Sequence, residues 1–556
     1  MDETMAAAGE GFENGEEVKK RVSPNFRKDQ GNERRKGMGK KFGLGLIVFV
    51  IAVGLISAPV LAAPKRGGVY RASMATDLTN VDLHKTTAQI DNAVLGMSVY
   101  ETLFTYDEKF NVKPFLCESY KMAPDGLMLT LNLKKGVKFH NKTEMKAEDV
   151  KFSLDRVRDA KLPGVHRNSL MRVKEVKITG PYQVQVIMTK PLPNLLDILA
   201  TGVGTVAIMP KKALESHDNK VLKPIGTGPY EFVAWERDTK VIFKRFEAYS
   251  SADGPVSGFL GKRGQYFDQA VYNIMKEPST RIMALDRGDL DAAPILPYPQ
   301  IDDLKKRKDI QAITGLAPDA PWYLFNVNFN HPYLSKVDFR KALAYALDRK
   351  EITKAAVWGY GTPTFSVISP MLPAYSPDLE KMAPQYDPAK AKEFLQKTGY
   401  KGEKIKILTS KNYTPMYDSV LAAQAMWAAV GINTEIEVVD FTTHLARWQK
   451  GEHEILSFAM IGRMDPLAQT NILGPKNFYN YKNQEAFAIR EAMENTWDPA
   501  KQNELFRKLY EVTCKDVPFM INFYIHNSIA IKPYLKGFDP EFDLFWGRVW
   551  KYYFEK

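Results

Sequence analysis

Cysteine is nearly absent. In 556 residues only Cys117 and Cys514 occur, far apart in sequence, which excludes a disulfide framework and reads as two buried free thiols. Histidine is sparse too: eight residues are scattered from His84 to His526, and only His444 and His453 are fairly close, not at the i, i+4 spacing of a helical metal pair. There is no G-x-S-x-G elbow, no H-E-x-x-H pair and no G-x-x-x-x-G-K-[ST] loop, so nucleophilic, metal and phosphate-cradling chemistry have no recognisable carrier. Gly202 to Ala207 has the glycine spacing of a dinucleotide fingerprint but runs into Met209-Pro210 where a helix should open; it reads as a Gly-rich connection. Basic runs flanked by aromatics are also missing. The formal charge of +12, from 77 basic and 65 acidic residues, is therefore read as a mildly cationic surface and not as a nucleic-acid groove.

Long uncharged runs are absent except for one. Arg34, Arg35, Lys36, Lys40 and Lys41 precede Phe42 to Ala63, which carries no charge and has Leu44 to Leu55 as its apolar centre. That layout is a secretory signal, residues 38–62, with Val60 and Ala62 as small residues placing a cut between Ala62 and Ala63. The competing reading is an uncleaved anchor, since the run is about long enough for a bilayer core of roughly 30 Å; Gly43, Gly45, Gly54 and Pro59 argue against it. Either way the positive charges stay in the cytoplasm and the body lies outside. No cysteine lies near the cut, so a lipoprotein is not expected. Residues 1–37 cannot bury a core and read as disordered, or as the product of a start codon assigned too far upstream.

Beyond the signal, 45% hydrophobic and 12% aromatic content is enough for a large core in two or three domains. Leu127, Leu129, Leu131 and Leu133 alternate after the turn Pro124-Asp125-Gly126, and Tyr182, Val184, Val186 and Met188 repeat the pattern; both predict half-buried strands. Val150, Leu154 and Val157 predict a helix between them. Asp387-Pro388 and Asp498-Pro499 predict helix starts, with a carboxylate cap and a proline in the first turn. A further helix is predicted from about Asp338 to Trp358 on the stripe Phe339, Leu343, Ala346 and Leu347. Strands alternating with helices point to an α/β chain.

Specific blocks add to this. Gly67-Gly68, Val81-Asp82-Leu83-His84, the run Leu133-Lys134-Lys135-Gly136-Val137-Lys138-Phe139-His140 with Ala147-Glu148-Asp149-Val150, then Gly226-Thr227-Gly228-Pro229-Tyr230, Phe325-Asn326-Val327-Asn328, Phe339-Arg340-Lys341-Ala342-Leu343 and Ala346-Leu347-Asp348-Arg349 follow one another. In content and order the chain resembles the extracellular solute-binding proteins of peptide, nickel and related ABC importers, solute-binding family 5. The resemblance implies a two-lobed periplasmic-binding-protein-like fold of type II, with mixed sheets, hinge crossing segments and an inserted subdomain. It places the first lobe at 63–315 with the insertion at about 107–223, the second at 316–523, and a tail at 524–556 returning to the first.

It also implies a monomeric receptor, with no enzymatic activity and no cofactor, that closes around a small molecule or short peptide and hands it to permease subunits at the inner membrane. A secreted hydrolase and a binding protein feeding a membrane sensor are the other readings. Ligand contacts are expected from Met74 and Thr76 on one lobe, from Trp322, Tyr323 and Asn326 at the crossing, and from Phe365, Phe458, Gly462, Arg463 and Asp465 on the other. Peptide-binding members carry an aspartate near the glycine of the loop holding Gly462. Arg463 stands there in this chain, and a guanidinium suits a carboxylate, phosphate or sulfonate in place of an ammonium.

Overall fold

The computed structural model describes residues 64–555, apart from 65, 87, 162–166, 169 and 201–205; the signal segment with Ala62 and Ala63, and most of the Gly202 connection, lie outside them. Three sheets organise the chain. A seven-stranded sheet runs in the order Gln311–Gly315, Asn527–Ile531, Ala292–Pro294, Val69–Met74, Gln269–Ile274, Lys240–Arg245, Tyr230–Glu236. A six-stranded sheet runs Gly361–Pro363, Phe519–Ile525, Trp322–Val327, Ile455–Met460, Ile405–Thr409, Thr434–Val438. A four-stranded sheet is made of Cys117–Met122, Met128–Leu133, Gln183–Met188 and Val173–Gly180.

Local chemistry accounts for these elements. Leu129, Leu131 and Leu133 are buried on one face of their strand, as period-two alternation requires, and Gly126 turns the chain into it at φ +70. Helix Ala147–Arg158 buries Val150, Leu154 and Val157, and the Asp149 carboxylate accepts the Lys146 backbone N–H at 2.9 Å to close its first turn. The caps at Asp387 and Asp498 each accept one N–H, from Lys390 and Lys501. The stretch predicted as one helix from Asp338 to Trp358 is two, Val337–Tyr345 and Arg349–Val357. Asp348 leaves the helical conformation and its carboxylate caps the second helix through Lys350 and Glu351 N–H at 2.9 and 3.2 Å.

The sequence blocks that carry the resemblance are mostly buried scaffold. Arg156 pairs with Asp82 at 2.5 Å and donates to His84 Nδ1 at 2.9 Å, while His84 Nε2 meets the Ala207 carbonyl at 2.8 Å. A Cβ on Gly226 would lie 2.1 Å from the Val99 carbonyl oxygen, so that approach of two backbones requires glycine. Arg340 donates to the Leu334 and Ser335 carbonyls and to Asp516, and Arg349 to the Ile521 carbonyl at 2.6 Å.

Two short crossings connect the larger sheets, from Gly315 to Trp322 and from Ile525 to Asn527. Strand directions fix what they join. Met74, Ile274 and Pro294 are the ends of parallel strands, and Gly315 pairs with Asn527 beside them. In the other sheet Met460 and Tyr524 pair with Trp322, Ile525 pairs with Gly361, and Thr409 and Val438 end strands parallel to Ile455–Met460. One edge of each sheet therefore faces the other across the crossings, and the loops after those strand ends line the gap.

Candidate ligand-binding cleft

The loop after strand Ile455–Met460 is pressed onto the first crossing. A Cβ on Gly462 would fall 2.5 Å from the Ala320 carbonyl oxygen and 2.6 Å from the Asp319 carbonyl carbon, so only glycine lets the loop close there. Arg463 follows, half-buried; burial lowers its pKa, opposed by the Asp319 and Asp465 carboxylates. Asp465 caps helix Pro466–Gln469 by accepting Leu467 and Ala468 N–H at 2.8 and 3.1 Å, and it also accepts the Asn194 side-chain amide.

Asn194 brings in the region of the four-stranded sheet. Three residues on, Asp197 accepts the Tyr106 hydroxyl at 3.3 Å. Burial, reinforced by the Asp465 carboxylate, pushes the Asp197 carboxyl up to about 8; burial likewise raises that of Asp465, against the hydrogen bonds it accepts and the charge of Arg490. Two carboxyl groups brought together in a partly dry site favour holding a proton. Nearby, Arg172 spans the same division, donating to the Pro191 carbonyl at 2.7 Å and to the Glu494 carbonyl and carboxylate at 2.6 and 2.8 Å.

Of the residues singled out from the sequence, Trp322, Gly462, Arg463 and Asp465 gather around this crossing. Trp322 is fully buried and its indole N–H has no hydrogen-bond partner. Met74 ends its strand in the core, and Thr76 lies exposed on the following turn of the facing edge. Tyr323 packs on the far side of the six-stranded sheet, stacked on Phe523 at 5.0 Å. Asn326 is buried mid-strand with its side-chain oxygen unpartnered. Phe365 stacks against the Arg349 guanidinium, 3.2 Å from its ring centre, and Phe458 lies between Trp448 and His444 at 4.5 and 5.6 Å. The structure thus brings together the crossing and the Gly462 loop, and sets Tyr323, Asn326, Phe365 and Phe458 into the packing of the second sheet.

The sequence reading missed Tyr106, Asn194, Asp197 and Asp319. No local pattern marks them, because their partners lie far along the chain. Among the described residues, no group of three or more His, Cys, Asp or Glu side chains could hold a metal ion, and no helix is long and apolar enough to cross a membrane.

Comparison with known proteins agrees with this architecture. Residues 111–480 match the family described as bacterial extracellular solute-binding proteins, family 5 Middle. The glutathione-binding protein GsiB of Escherichia coli (strain K12) is 28% identical over 494 residues, covering 86% of this chain and 92% of its own. The substrate-binding protein CtaP of Listeria monocytogenes superposes with a TM-score of 0.77 at 22% identity, over 88% of this chain and all (100%) of its own. The periplasmic binding protein DppA of Helicobacter pylori, solved with the peptide STSA, gives 0.71 at 25% identity, covering 88% and 99%. Paired sheets joined by crossings, with a glycine-closed loop between them, and a family match over most of the chain lead to one assignment: this chain belongs to the bacterial extracellular solute-binding proteins of family 5, a two-lobed solute receptor of the ABC-importer type.

Proposed function

We propose that the chain, exported and cleaved between Ala62 and Ala63, acts in the periplasm as a monomer that captures a peptide-like or other small organic solute and passes it to inner-membrane permease subunits. The lobes are taken as 63–315, with a subdomain at about 107–223 and the tail 524–556, and 316–523. The observation that carries the reading is the pair of crossings at 315–322 and 525–527, which join facing sheet edges; a solute between those edges touches both lobes and so favours the closed form. GsiB is named for glutathione and DppA was solved with a peptide, which supports a peptide-like ligand class.

The test is to denature protein taken from a periplasmic extract and identify by mass spectrometry what small molecule it releases. Adding that molecule back should raise the melting temperature without being consumed. Its conversion to a product would favour the hydrolase instead. An intact apolar segment on N-terminal sequencing would favour the anchored form.

A further inference from the structure

Large apolar side chains stand exposed where strands end on the two facing edges. Ile295 follows Pro294 and is 58% exposed, Ile461 follows Met460 at 40%, Val438 ends its strand at 43%, and Tyr413, after the strand ending at Thr409, is 47% exposed. Exposed apolar residues scattered singly need no explanation, whereas a set placed at the strand ends that border the crossings does.

Ile295 supplies an independent observation. Its φ is +58, a left-handed conformation in which a β-branched side chain is strained. The strain is imposed from both sides: Ile295 N–H donates to the Ser528 carbonyl at 2.7 Å, and the buried Arg281 guanidinium donates to the Ile295 carbonyl at 2.6 Å. Asparagine or glycine would relieve it. A strained backbone that holds an apolar side chain out toward solvent, beside the crossing strand, makes sense as a contact surface.

Some of the neighbouring charges, by contrast, are engaged within the protein: Lys276 pairs with Asp238 at 3.0 Å and Asp440 caps its helix through Thr443 N–H at 3.0 Å. Resting on the receptor reading above, we infer that the cleft selects a solute by an apolar body, aliphatic or aromatic, held by Ile295 from the first lobe and Ile461 from the second.

The dipeptides Leu-Leu, Phe-Leu, Ser-Ser, Lys-Lys and Glu-Glu are the probes, titrated calorimetrically and by thermal shift against wild type, Ile295→Asn, Ile461→Asn and the distant surface control Leu222→Asn. Leu-Leu and Phe-Leu should bind, and the other three should bind at least about tenfold more weakly. Each of the two cleft variants should lose about tenfold in affinity for Leu-Leu, with the control unchanged. Ile295→Asn should melt no lower than wild type without ligand, which separates lost binding from lost folding. Binding of Ser-Ser or a charged dipeptide as tightly as Leu-Leu, or wild-type affinity in both cleft variants, would overturn the proposal. So would failure of all five probes to bind, whereas the receptor reading stands or falls on the released solute.

Discussion

Arg463 combines a place read from the sequence with surroundings that only the folded chain supplies. Its place in the loop suggested an anion receptor, yet its charged surroundings are Asp319 and Asp465, which nothing local in the sequence reveals. Arg463→Ala should therefore destabilise the ligand-free protein by no more than about 1 kcal/mol, because it removes a cation that acts on those carboxylates through its charge; apo melting curves check this, and an unchanged melting temperature would return Arg463 to the ligand. Asp197 gives a pH signature. With its folded pKa near 8 and an unfolded value near about 4, the folded state binds the extra proton, so this group's contribution to stability falls as pH rises from about 4 to about 8. Asp197→Asn should match wild type near pH 4 and exceed it near pH 8, by about 1–2 kcal/mol; denaturant titrations at both values measure the difference. At this scale the sequence disclosed the loop but not its partners, since Asp197 and Asp465 meet only through tertiary packing.

Secondary elements were more legible because their determinants are local. Alternating leucines at 129, 131 and 133 and the Asp-Pro starts at 387 and 498 correspond to buried faces and formed caps. The region 337–357 was misread for an equally physical reason. Phe339, Leu343, Ala346 and Leu347 are all buried, so the apolar stripe continues through a break that only the Asp348 cap reveals. Asp348→Ala should cost about 1 kcal/mol in a chemical-denaturation midpoint, the usual value of a helix cap. Gly226 allows a harsher expectation, because its missing Cβ would meet the Val99 carbonyl oxygen at 2.1 Å. Gly226→Ala should cost about 3 kcal/mol or more and lower the recovery of folded protein, read by size exclusion and circular dichroism.

For the molecule as a whole, order along the chain was readable while the meeting of distant segments was not. Both thiols are free, and burial pushes Cys117 and Cys514 up to about 12. A thiol reagent at neutral pH should label both quickly in denaturant and slowly in the native protein; fast native labelling would reveal opening of the packing around them. The seven-stranded sheet has one further consequence, which concerns time. Strand Asn527–Ile531 lies between Gln311–Gly315 and Ala292–Pro294, with Ala292–Pro294 separating it from Val69–Met74, so the first strand of the described chain and one made more than 450 residues later are built into the same sheet. Until residue 531 has left the ribosome, strand Ala292–Pro294 lacks one of its two neighbours and Gln311–Gly315 has no seat. Such wide sequence separation slows folding, and the nascent first lobe must remain incomplete for nearly the whole of synthesis, the condition in which a polypeptide can still be threaded through a narrow channel.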